Sequence, residues 1–416
     1  MKPIKALLLG AGGRGFGYAS YTVEHGDKIQ FIGVAEPVDV RREKFVTDYN
    51  IAPERTFNSW KEALSVEKFA DVVFICTQDQ DHVAPTEQAL ALGYHVILEK
   101  PMAVTPADCV KLGELAKEKN LLFAICHVMR YNAFGRKVKE VIEQGLIGDI
   151  MNVEHKENVW NIHQAHSYVR GNWRRSDEAS PMILAKSCHD MDMLLWWIDS
   201  KCTSVSSFGS LGHFKPEKAP VGATKRCFDG CAIKDRCPYD CEKVYLEQNH
   251  EWMQSAVSID TSKDALKAAL LTGPYGRCVY HCDNDVVDHQ VASMAFESGA
   301  VAVFTMSAFN KGGREVIMMG TKGMLTAIEH KEEVEVYDFE TGATTVYPVT
   351  LQAGGHGGGD TGLMDAIVEA LATGKPMSTG AEVSVESHLM AFAAEASRLS
   401  GKTIDMANYY QSFLGN

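Results

Sequence analysis

Short apolar runs alternate with amphipathic segments over roughly the first 125 residues. The apolar runs are nearly continuous, which is typical of parallel strands buried on both faces. The segments between them carry apolar residues at helical spacing. We therefore predict a doubly wound α/β domain over residues 1–130, with strands joined through helices. The predicted strands are 4–10, 29–36, 70–76, 95–99 and 121–126, and the predicted helices are 14–24, 40–49, 82–92 and 106–120.

The pattern changes after about residue 132. Longer strand-like stretches are now joined by tight turns, such as the one at 297–299, which favour an antiparallel or mixed sheet. We predict an α+β domain over residues 131–416 with a large, mostly antiparallel open sheet. A Cys-, Pro- and Gly-rich region at about 206–284 fits neither pattern and is interpreted as an insertion. The predicted strands are 150–160, 291–296, 300–307, 324–328, 334–339 and 344–349, and the predicted helices are 134–144, 189–198, 363–372 and 383–399.

Composition narrows the class of partner. The chain has 416 residues, with 54 acidic and 41 basic side chains and a net charge of −13, which disfavours nucleic acid and anionic membranes. No apolar stretch approaches the roughly 20 residues of a membrane span, and the first ten residues do not resemble a signal peptide. Eleven cysteines without obvious partners favour a reducing compartment, so we expect a cytoplasmic protein.

A glycine-rich turn after the first strand predicts a dinucleotide site. Gly10-Ala11-Gly12-Gly13-Arg14-Gly15 has the spacing G-x-G-x-x-G between a strand and a helix. In this pattern the first glycine permits the turn, the second admits a pyrophosphate and the third packs helix on strand. Glu36 ends the next strand and can accept hydrogen bonds from a ribose 2′-hydroxyl. We predict a Rossmann domain that prefers NAD to NADP, with Arg41 and Arg42 on a solvated helix face rather than on a phosphate.

Further motifs point to one family. Leu98-Glu99-Lys100-Pro101 ends the fourth strand, Thr77 follows the third, and His82 opens a helix that leads to Gly93. Together they resemble the Gfo/Idh/MocA family, named for glucose–fructose oxidoreductase, inositol dehydrogenase and a rhizopine-catabolism protein, over nearly the whole chain. The resemblance implies NAD, a small carbohydrate substrate and a homo-oligomer, a dimer or tetramer. The residues predicted to bind the cofactor are Gly10, Gly12, Gly13, Arg14, Gly15, Glu36, Thr77, Gln78, His82, Glu99, Lys100, Trp173 and Arg174.

Lys100 is the first predicted catalytic residue. In the family the lysine of Glu-Lys-Pro reaches the substrate hydroxyl beside the nicotinamide. The residues support this independently, because a lysine at the carboxyl end of a parallel strand lies where open α/β sheets bind ligands. Desolvation and the positive charge of bound NAD⁺ would lower its pKa and make it a usable base. The peptide bond before Pro101 is often cis in the family.

His189 is the second predicted catalytic residue. The family usually carries Asp-x-x-x-His at the start of a helix, and the matching stretch here is Ala185-Lys186-Ser187-Cys188-His189. The histidine fits, but Ala185 stands where the aspartate would be, so proton transfer falls to Lys100 and His189. Asp190 either orients His189 or favours the helix dipole. The departure from the pattern weakens any inference of an inositol-type substrate.

Two segments are predicted to contribute substrate contacts. The segment 160–174 is rich in Trp, His and Arg and reads as a loop whose Trp faces stack on sugars. A second loop, Gly354 to Asp360, has glycines that allow close approach to a ligand. By resemblance, Trp173 and Arg174 lie near the nicotinamide. The residues predicted to bind substrate are Lys100, Arg130, Trp160, His163, His166, Lys186, His189 and His356.

The insertion carries a cluster of cysteines. Cys227, Cys231, Cys237 and Cys241 have the spacing C-x3-C-x5-C-x3-C, and 278–282 adds another C-x3-C. In a reducing compartment such a cluster favours a metal, and structural Zn²⁺ is the expected ion. The spacing matches neither the common zinc pairs nor iron–sulfur motifs, so a set of reduced thiols is an equal alternative.

Three functions remain open from the sequence. The first is a dehydrogenase that transfers hydride between NAD and a secondary hydroxyl carbon of a sugar, glycoside or cyclitol. The second is an NAD-dependent glycosidase that oxidises its substrate transiently, eliminates a substituent and returns the hydride. The third is a non-redox NAD-binding regulator, against which Lys100 and His189 argue. Net NADH, released aglycone, or binding without turnover would distinguish them.

Overall fold

A computed structural model describes residues 2–350, 352 and 355–414. Within that part the first domain contains a parallel sheet of six strands in the order β3-β2-β1-β4-β5-β6. The doubly wound prediction is confirmed, because helices cover both faces of buried strands such as β4. The strands are β1 (Ile4–Leu9), β2 (Ile29–Ala35), β3 (Thr56–Phe57), β4 (Val72–Ile75), β5 (His95–Leu98) and β6 (Phe123–Ile125). The helices are α1 (Gly13–Ser20), α2 (Thr22–His25), α3 (Asp39–Tyr49), α4 (Trp60–Ala63), α5 (Val83–Ala91) and α6 (Pro106–Lys119).

Local differences from the predicted elements are small in this domain. The single helix predicted over 14–24 is two helices, α1 and α2. The first ends at Tyr21, whose N–H donates to the carbonyl of Tyr18 three residues back and so tightens the last turn. Strand β3 was not predicted, since two residues are too few to show a period.

The second domain is built on a mixed sheet of nine strands among the described residues, in the order β14-β13-β12-β11-β7-β10-β9-β8-β15. Every neighbouring pair is antiparallel except β7 and β10, so the predicted mostly antiparallel sheet is confirmed. The strands are β7 (Ile150–Asn158), β8 (Cys202–Ser210), β9 (His289–Phe296), β10 (Val301–Ser307), β11 (Gly313–Gly320), β12 (Gly323–Ile328), β13 (Glu333–Asp338), β14 (Thr344–Pro348) and β15 (Ile404–Asp405).

Helices cover one face of this sheet and complete the first domain. The two central ones, α10 and α14, pack on each other, and α14 packs on β8. Leu363, Met364 and Ile367 of α13 join the core formed under β1 and α1, so this helix packs back on the first domain. The helices are α7 (Ala133–Glu143), α8 (Asn161–His163), α9 (Met182–Ala185), α10 (Cys188–Ile198), α11 (Glu251–Val257), α12 (Lys263–Thr272), α13 (Gly359–Thr373), α14 (Ala381–Ser400) and α15 (Met406–Gln411). Among the described helices, none is long and apolar enough to cross a membrane.

The segment 160–174 was predicted as a loop, and the structure corrects this. After α8, a π-helical stretch, Gln164–Arg170, is buried along its whole length. The guanidinium of Arg170 donates to the carbonyls of Arg277 and Tyr239, both at 2.7 Å, so the insertion covers the segment. Polar residues such as Gln164, His166 and Arg170 are buried along with the apolar ones, so no alternation of apolar and polar faces marks this helix in the sequence. Strand β8 extends to Ser210, so it overlaps the first residues of the predicted insertion.

Candidate active site

The glycine-rich turn has the shape that a pyrophosphate requires. Gly10 adopts a φ of +94°, and a Cβ there would lie 2.5 Å from the carbonyl oxygen of Cys76. A Cβ at Gly15 would lie 2.3 Å from the carbonyl oxygen of Gly10, so this glycine lets α1 pack on β1. At Gly12 and Gly13 a Cβ would meet no atom within 4 Å among the described residues. The open space lies at the N-terminus of α1, where backbone N–H groups bind phosphate, so the residues present fit a dinucleotide.

Glu36 lies at the end of β2 beside this turn. It is buried, and its two carboxylate oxygens accept hydrogen bonds from the N–H groups of Ala11 and Val38, at 2.7 and 2.9 Å. Arg42 donates instead to the carbonyl oxygen of Glu36 and to Asp39. A carboxylate therefore occupies the position expected for ribose recognition, while Arg42 is already engaged.

Arg14 links the turn to the Glu-Lys-Pro motif. Its Nε donates to Glu99 at 2.6 Å, and Tyr18 donates to the same carboxylate oxygen at 2.6 Å. Burial opposes ionisation of Glu99, but the charges of Arg14 and Lys100 outweigh it and keep its pKa below the usual value. The other oxygen of Glu99 accepts the backbone N–H of Lys100 at 2.9 Å. The predicted cofactor residues Arg14 and Glu99 thus form one network, in which Tyr18 was not foreseen.

Lys100 follows β5 and points across to the second domain. Its Nζ donates to the backbone carbonyl of Ala185 at 2.9 Å rather than to a carboxylate. Ala185, the residue standing in place of the family's aspartate, therefore contacts Lys100 through its main chain. The peptide bond between Lys100 and Pro101 is cis, as the resemblance implied.

His189 lies near Lys100 in the first turn of α10. It is buried, and its Nδ1 has no hydrogen-bond partner in the described part of the chain. Burial lowers its pKa well below the usual value, and the charge of Lys100 lowers it further. The imidazole is therefore neutral near pH 7, and its unpartnered Nδ1 is available for a hydrogen bond. The two predicted catalytic residues are brought together by the end of β5 and the start of α10.

A further histidine, His127, was missed by the sequence reasoning. It is fully buried, and its ring lies 5.7 Å from that of His189. Neither ring nitrogen has a hydrogen-bond partner among the described residues, although Nε2 lies 3.8 Å from a carboxylate oxygen of Asp192. Burial lowers its pKa to about 4. His127 follows β6, so its place at the carboxyl end of a parallel strand is the signal that could have identified it.

The acidic residues of α10 form buried ion pairs next to these histidines. Arg130 was predicted to bind substrate, but its Nε and Nη2 each bond a carboxylate oxygen of Asp192 at 2.7 Å, and both residues are buried. The structure therefore places Arg130 in a buried pair, in contact with α10. Asp190 does not bond His189, since its partners are His155 and Arg314, at 2.9 and 2.8 Å.

Lys186 also belongs to a charged cluster. Its Nζ lies 3.3 Å from Glu157, which Arg314 approaches on the other side. The charge of Lys186 nevertheless reaches His163, whose pKa is lowered well below the usual value by burial first and by Lys186 next. Glu157 and Arg314 were not identified from the sequence, because nothing in β7 or β11 separates these positions from ordinary strand residues.

The predicted aromatic and histidine contacts cluster under the insertion. The rings of His163 and His166 each lie 5.0 Å from Trp252 of α11. His166 also stacks on Tyr275 and bonds the Tyr245 hydroxyl at 3.0 Å. Trp160 packs on His250 of the insertion rather than facing open solvent. The charge of Lys100 also lowers the pKa of His163, which indicates that His163 lies near the predicted catalytic residues.

His356 approaches the site from the glycine-rich segment before α13. Its ring lies 6.2 Å from that of His189, and its Nδ1 lies 3.1 Å from a carboxylate oxygen of Asp360. Asp360 in turn bonds Arg14 through both carboxylate oxygens, at 2.9 Å each. Gly354 of the predicted loop lies outside the described residues.

The remaining predicted cofactor residues lie along the carboxyl ends of β4 and β5. His82 contacts the carbonyl oxygens of Pro101 and Thr77, at 2.7 and 3.3 Å. Gln78 is exposed next to them. The indole N–H of Trp173 donates to Asp79 at 3.3 Å, which brings this residue against the first domain. Arg174 instead pairs with Asp283 and Glu178 near the surface.

The cysteine cluster does not form a metal site. All eleven cysteines are free, and no three His, Cys, Asp or Glu side chains within residues 2–350, 352 and 355–414 are arranged to hold a metal ion. The zinc prediction is therefore unsupported. The thiols have other partners: Cys282 donates to the carbonyl of Cys278 at 3.3 Å, and Arg170 lies 3.7 Å from the sulfur of Cys227.

The chain is similar in sequence or in fold to several known proteins. YteT of Bacillus subtilis, an oxidoreductase by name, is 28% identical over 330 residues, which is 75% of each chain. The 2,7-anhydro-N-acetylneuraminate hydratase of Escherichia coli is 30% identical over 158 residues, or 37% of this chain and 41% of the relative. The crystal structure of myo-inositol 2-dehydrogenase from Lactobacillus plantarum superposes with a TM-score of 0.67 at 17% identity, covering 97% of this chain and 99% of the other.

Both domains match one family. Residues 4–127 match an oxidoreductase family's NAD-binding Rossmann fold, and residues 139–406 match the C-terminal alpha/beta domain of the same family. The two matches together span the dinucleotide turn, Lys100 and His189. The chain therefore belongs to the Gfo/Idh/MocA family of NAD-binding oxidoreductases.

Proposed function

We propose that this protein is an NAD-dependent dehydrogenase acting on a secondary hydroxyl carbon of a sugar, glycoside or cyclitol. The observation that carries the proposal is the pairing of Lys100 with His189 at the end of β5. The Lys100 ammonium has only a backbone carbonyl as its described partner, and His189 has an unpartnered Nδ1. A lysine held only by a backbone carbonyl and a histidine with an unpartnered nitrogen, beside a dinucleotide turn, suit the oxidation of an alcohol.

Lys100 and His189 have different roles in the proposed reaction. Bound NAD⁺ supplies the hydride acceptor. Lys100 accepts the hydroxyl proton as the carbinol C–H bond breaks and the C=O bond forms. His189, which burial keeps neutral, hydrogen-bonds the same substrate oxygen and holds it next to Lys100. His163 and His356 contact the remaining hydroxyls of the substrate, and Glu36 selects the ribose of NAD.

The proposed substrate class is supported by structural similarity to a known protein and by the chemistry of the candidate site. A solved neighbour of the same fold is a myo-inositol dehydrogenase, whose title names a cyclitol. Neutral imidazoles and an ammonium are suitable partners for vicinal hydroxyls, which donate and accept hydrogen bonds. The proposal is tested by incubating the protein with NAD⁺ and a panel of monosaccharides, glycosides and cyclitols. Formation of NADH on a panel member supports it, and NAD⁺ binding without turnover on any member contradicts it.

A redox-neutral reaction is the second candidate, and one relative favours it. The protein that is 30% identical over 158 residues is named a hydratase, so its name describes no net oxidation. Here the transient ketone would acidify a neighbouring C–H bond, a substituent would leave by elimination, and the hydride would return to the carbonyl carbon. The same panel separates the two reactions, because only this one releases aglycone without net NADH.

A further inference from the structure

One partly buried carboxylate, that of Asp360, joins the dinucleotide turn to the segment that carries His356. Arg14, in the first turn of α1, donates from its two Nη atoms to the two oxygens of Asp360, each at 2.9 Å. Asp360 lies in the first turn of α13 and accepts a hydrogen bond from Nδ1 of His356 at 3.1 Å. A bidentate guanidinium–carboxylate pair is among the most rigid polar contacts between two elements.

The same guanidinium extends the network to the catalytic lysine. Its Nε donates to Glu99, whose other oxygen holds the backbone N–H of Lys100. The pKa of Asp360 lies below its usual range because hydrogen bonds from His356 and Arg14 outweigh the effect of burial. Two carboxylates thus share one arginine at the start of α1, where the backbone faces the open space at Gly12.

The His356 segment depends on this anchor for its position. His356, Gly357 and Gly358 all have positive φ values, of 54°, 61° and 84°. A left-handed histidine is unfavourable unless neighbouring contacts hold it. The side chain of His356 is 40% exposed, so packing restrains it little, and Asp360 supplies its hydrogen bond.

We propose that Asp360 is a positioning residue that makes the placement of His356 depend on occupation of the dinucleotide site. The inference rests on the proposed function, because it takes NAD to bind at the N-terminus of α1 and His356 to face the substrate. A dinucleotide held by the first turn of α1 restricts the motion of Arg14. The bidentate pair passes that restriction to Asp360 and from there to His356, so that cofactor binding orders the substrate side.

Hydrogen exchange with NAD⁺ alone tests this without a known substrate. In the wild-type protein, NAD⁺ should slow amide exchange of peptides covering residues 355–362 by about fivefold or more. Asp360→Asn should abolish that protection while its NAD⁺ affinity, measured by calorimetry, stays within about fivefold of wild type. Asp365→Asn is the matched control, since Asp365 lies on the same helix but accepts a bond from the Tyr21 hydroxyl instead. Asp360→Glu should restore part of the protection.

Each outcome decides between the two proposals. Equal protection in Asp360→Asn, or unchanged or faster exchange in wild type with NAD⁺ bound, overturns the role of Asp360 and leaves the proposed function intact. Absence of NAD⁺ binding to the wild-type protein overturns the proposed function, and this inference with it. Should Asp360→Asn fail to fold, Arg14→Lys replaces it, because a lysine keeps the charge but loses the bidentate pair; protection retained in Arg14→Lys would equally overturn the inference.

Discussion

At the scale of single residues, the candidate site is defined by side chains that lack fixed partners. Most buried polar groups in proteins are satisfied, so an orphaned nitrogen needs an explanation. In the described chain His189 and His127 both carry such nitrogens, and they lie within 5.7 Å of each other, ring to ring. By contrast, Arg130 and Asp192 form a buried pair in which both carboxylate oxygens accept a hydrogen bond. This pair therefore helps to hold α10 in place.

Replacing Lys100 provides the most direct test at this scale. Lys100→Ala should lower turnover by about 10²–10⁴-fold, the usual contribution of a positioned acid–base group. Binding of NAD⁺, held mainly by backbone groups around Gly12, should change little. Lys139→Ala is the matched control, because its Nζ also donates to a backbone carbonyl at 2.9 Å, that of Trp196, away from the site. Near-normal initial rates of NADH formation by Lys100→Ala would refute the assignment.

Buried neutral histidines should make the fold sensitive to mild acid. Burial lowers the pKa of His127 to about 4 and those of His166 and His388 to about 3. The unfolded chain therefore binds more protons, and stability is complete above an unfolded pKa of about 6.5 and falls as the pH drops toward 4. Each histidine contributes about 1.4 kcal/mol per pH unit in that window. Urea unfolding at pH 7.5 and 5.5 should show the loss, and equal free energies of unfolding would contradict it.

One cysteine of the insertion should react as a thiolate. A hydrogen bond from Cys241 and the charge of Arg170 lower the pKa of Cys227 to about 6. The Arg170 guanidinium lies 3.7 Å from its sulfur. At pH 7 a chromogenic aromatic disulfide should therefore label the native protein in a fast phase. Cys227→Ser should remove that phase and Cys231→Ser, in the same cluster, should keep it; the reverse pattern would assign the reactive thiol elsewhere.

At the scale of elements, sequence periodicity identified the helices and strands that are amphipathic or continuously apolar, and it missed elements that are neither. The strands of the first domain other than β3 and the turn at Gly10–Gly15 were predictable, because each has a local pattern of apolar residues or glycines. The buried Gln164–Arg170 stretch was not, since its period is hidden when every side is covered. Likewise the bond between Asp360 and Arg14 joins positions 346 residues apart, and no local pattern encodes it.

Glu36 at the end of β2 should set the choice between NAD⁺ and NADP⁺. Its carboxylate lies beside the dinucleotide turn, bonded to Ala11, and it would repel a 2′-phosphate. The wild-type protein should bind NAD⁺ more tightly, and Glu36→Ala should narrow the preference. Glu36→Gln keeps a hydrogen-bond acceptor without the charge, so it separates the effect of the charge from that of the hydrogen bonds. Calorimetric titration with each dinucleotide measures the affinities, and tighter NADP⁺ binding by the wild-type protein would contradict the prediction.

At the scale of the whole molecule, the two domains share their cores. Ile367 of α13 packs with Leu8 and Tyr18 of the first domain. The backbone of Ile125 in β6 donates to Thr379 at 2.9 Å, so the loop before α14 extends the edge of the first sheet. Val385 of α14 packs in the core beneath α6 and β6. The chain passes from the first sheet to the second between β6 and β7, while packing is continuous between the two parts.

This shared core should make the first domain unable to fold alone. A fragment of residues 1–130 exposes the apolar surface that α13 and α14 cover, and it leaves the edge of β6 unpaired. Circular dichroism should show no cooperative thermal transition for the fragment and a single one for the full chain. In the full chain, Ile367→Ala should lower stability by about 2–5 kcal/mol, as large-to-small changes in cores do, while Val23→Ala, at an exposed position, should have little effect. A cooperative transition in the fragment would show that the first domain holds its structure without the C-terminal helices.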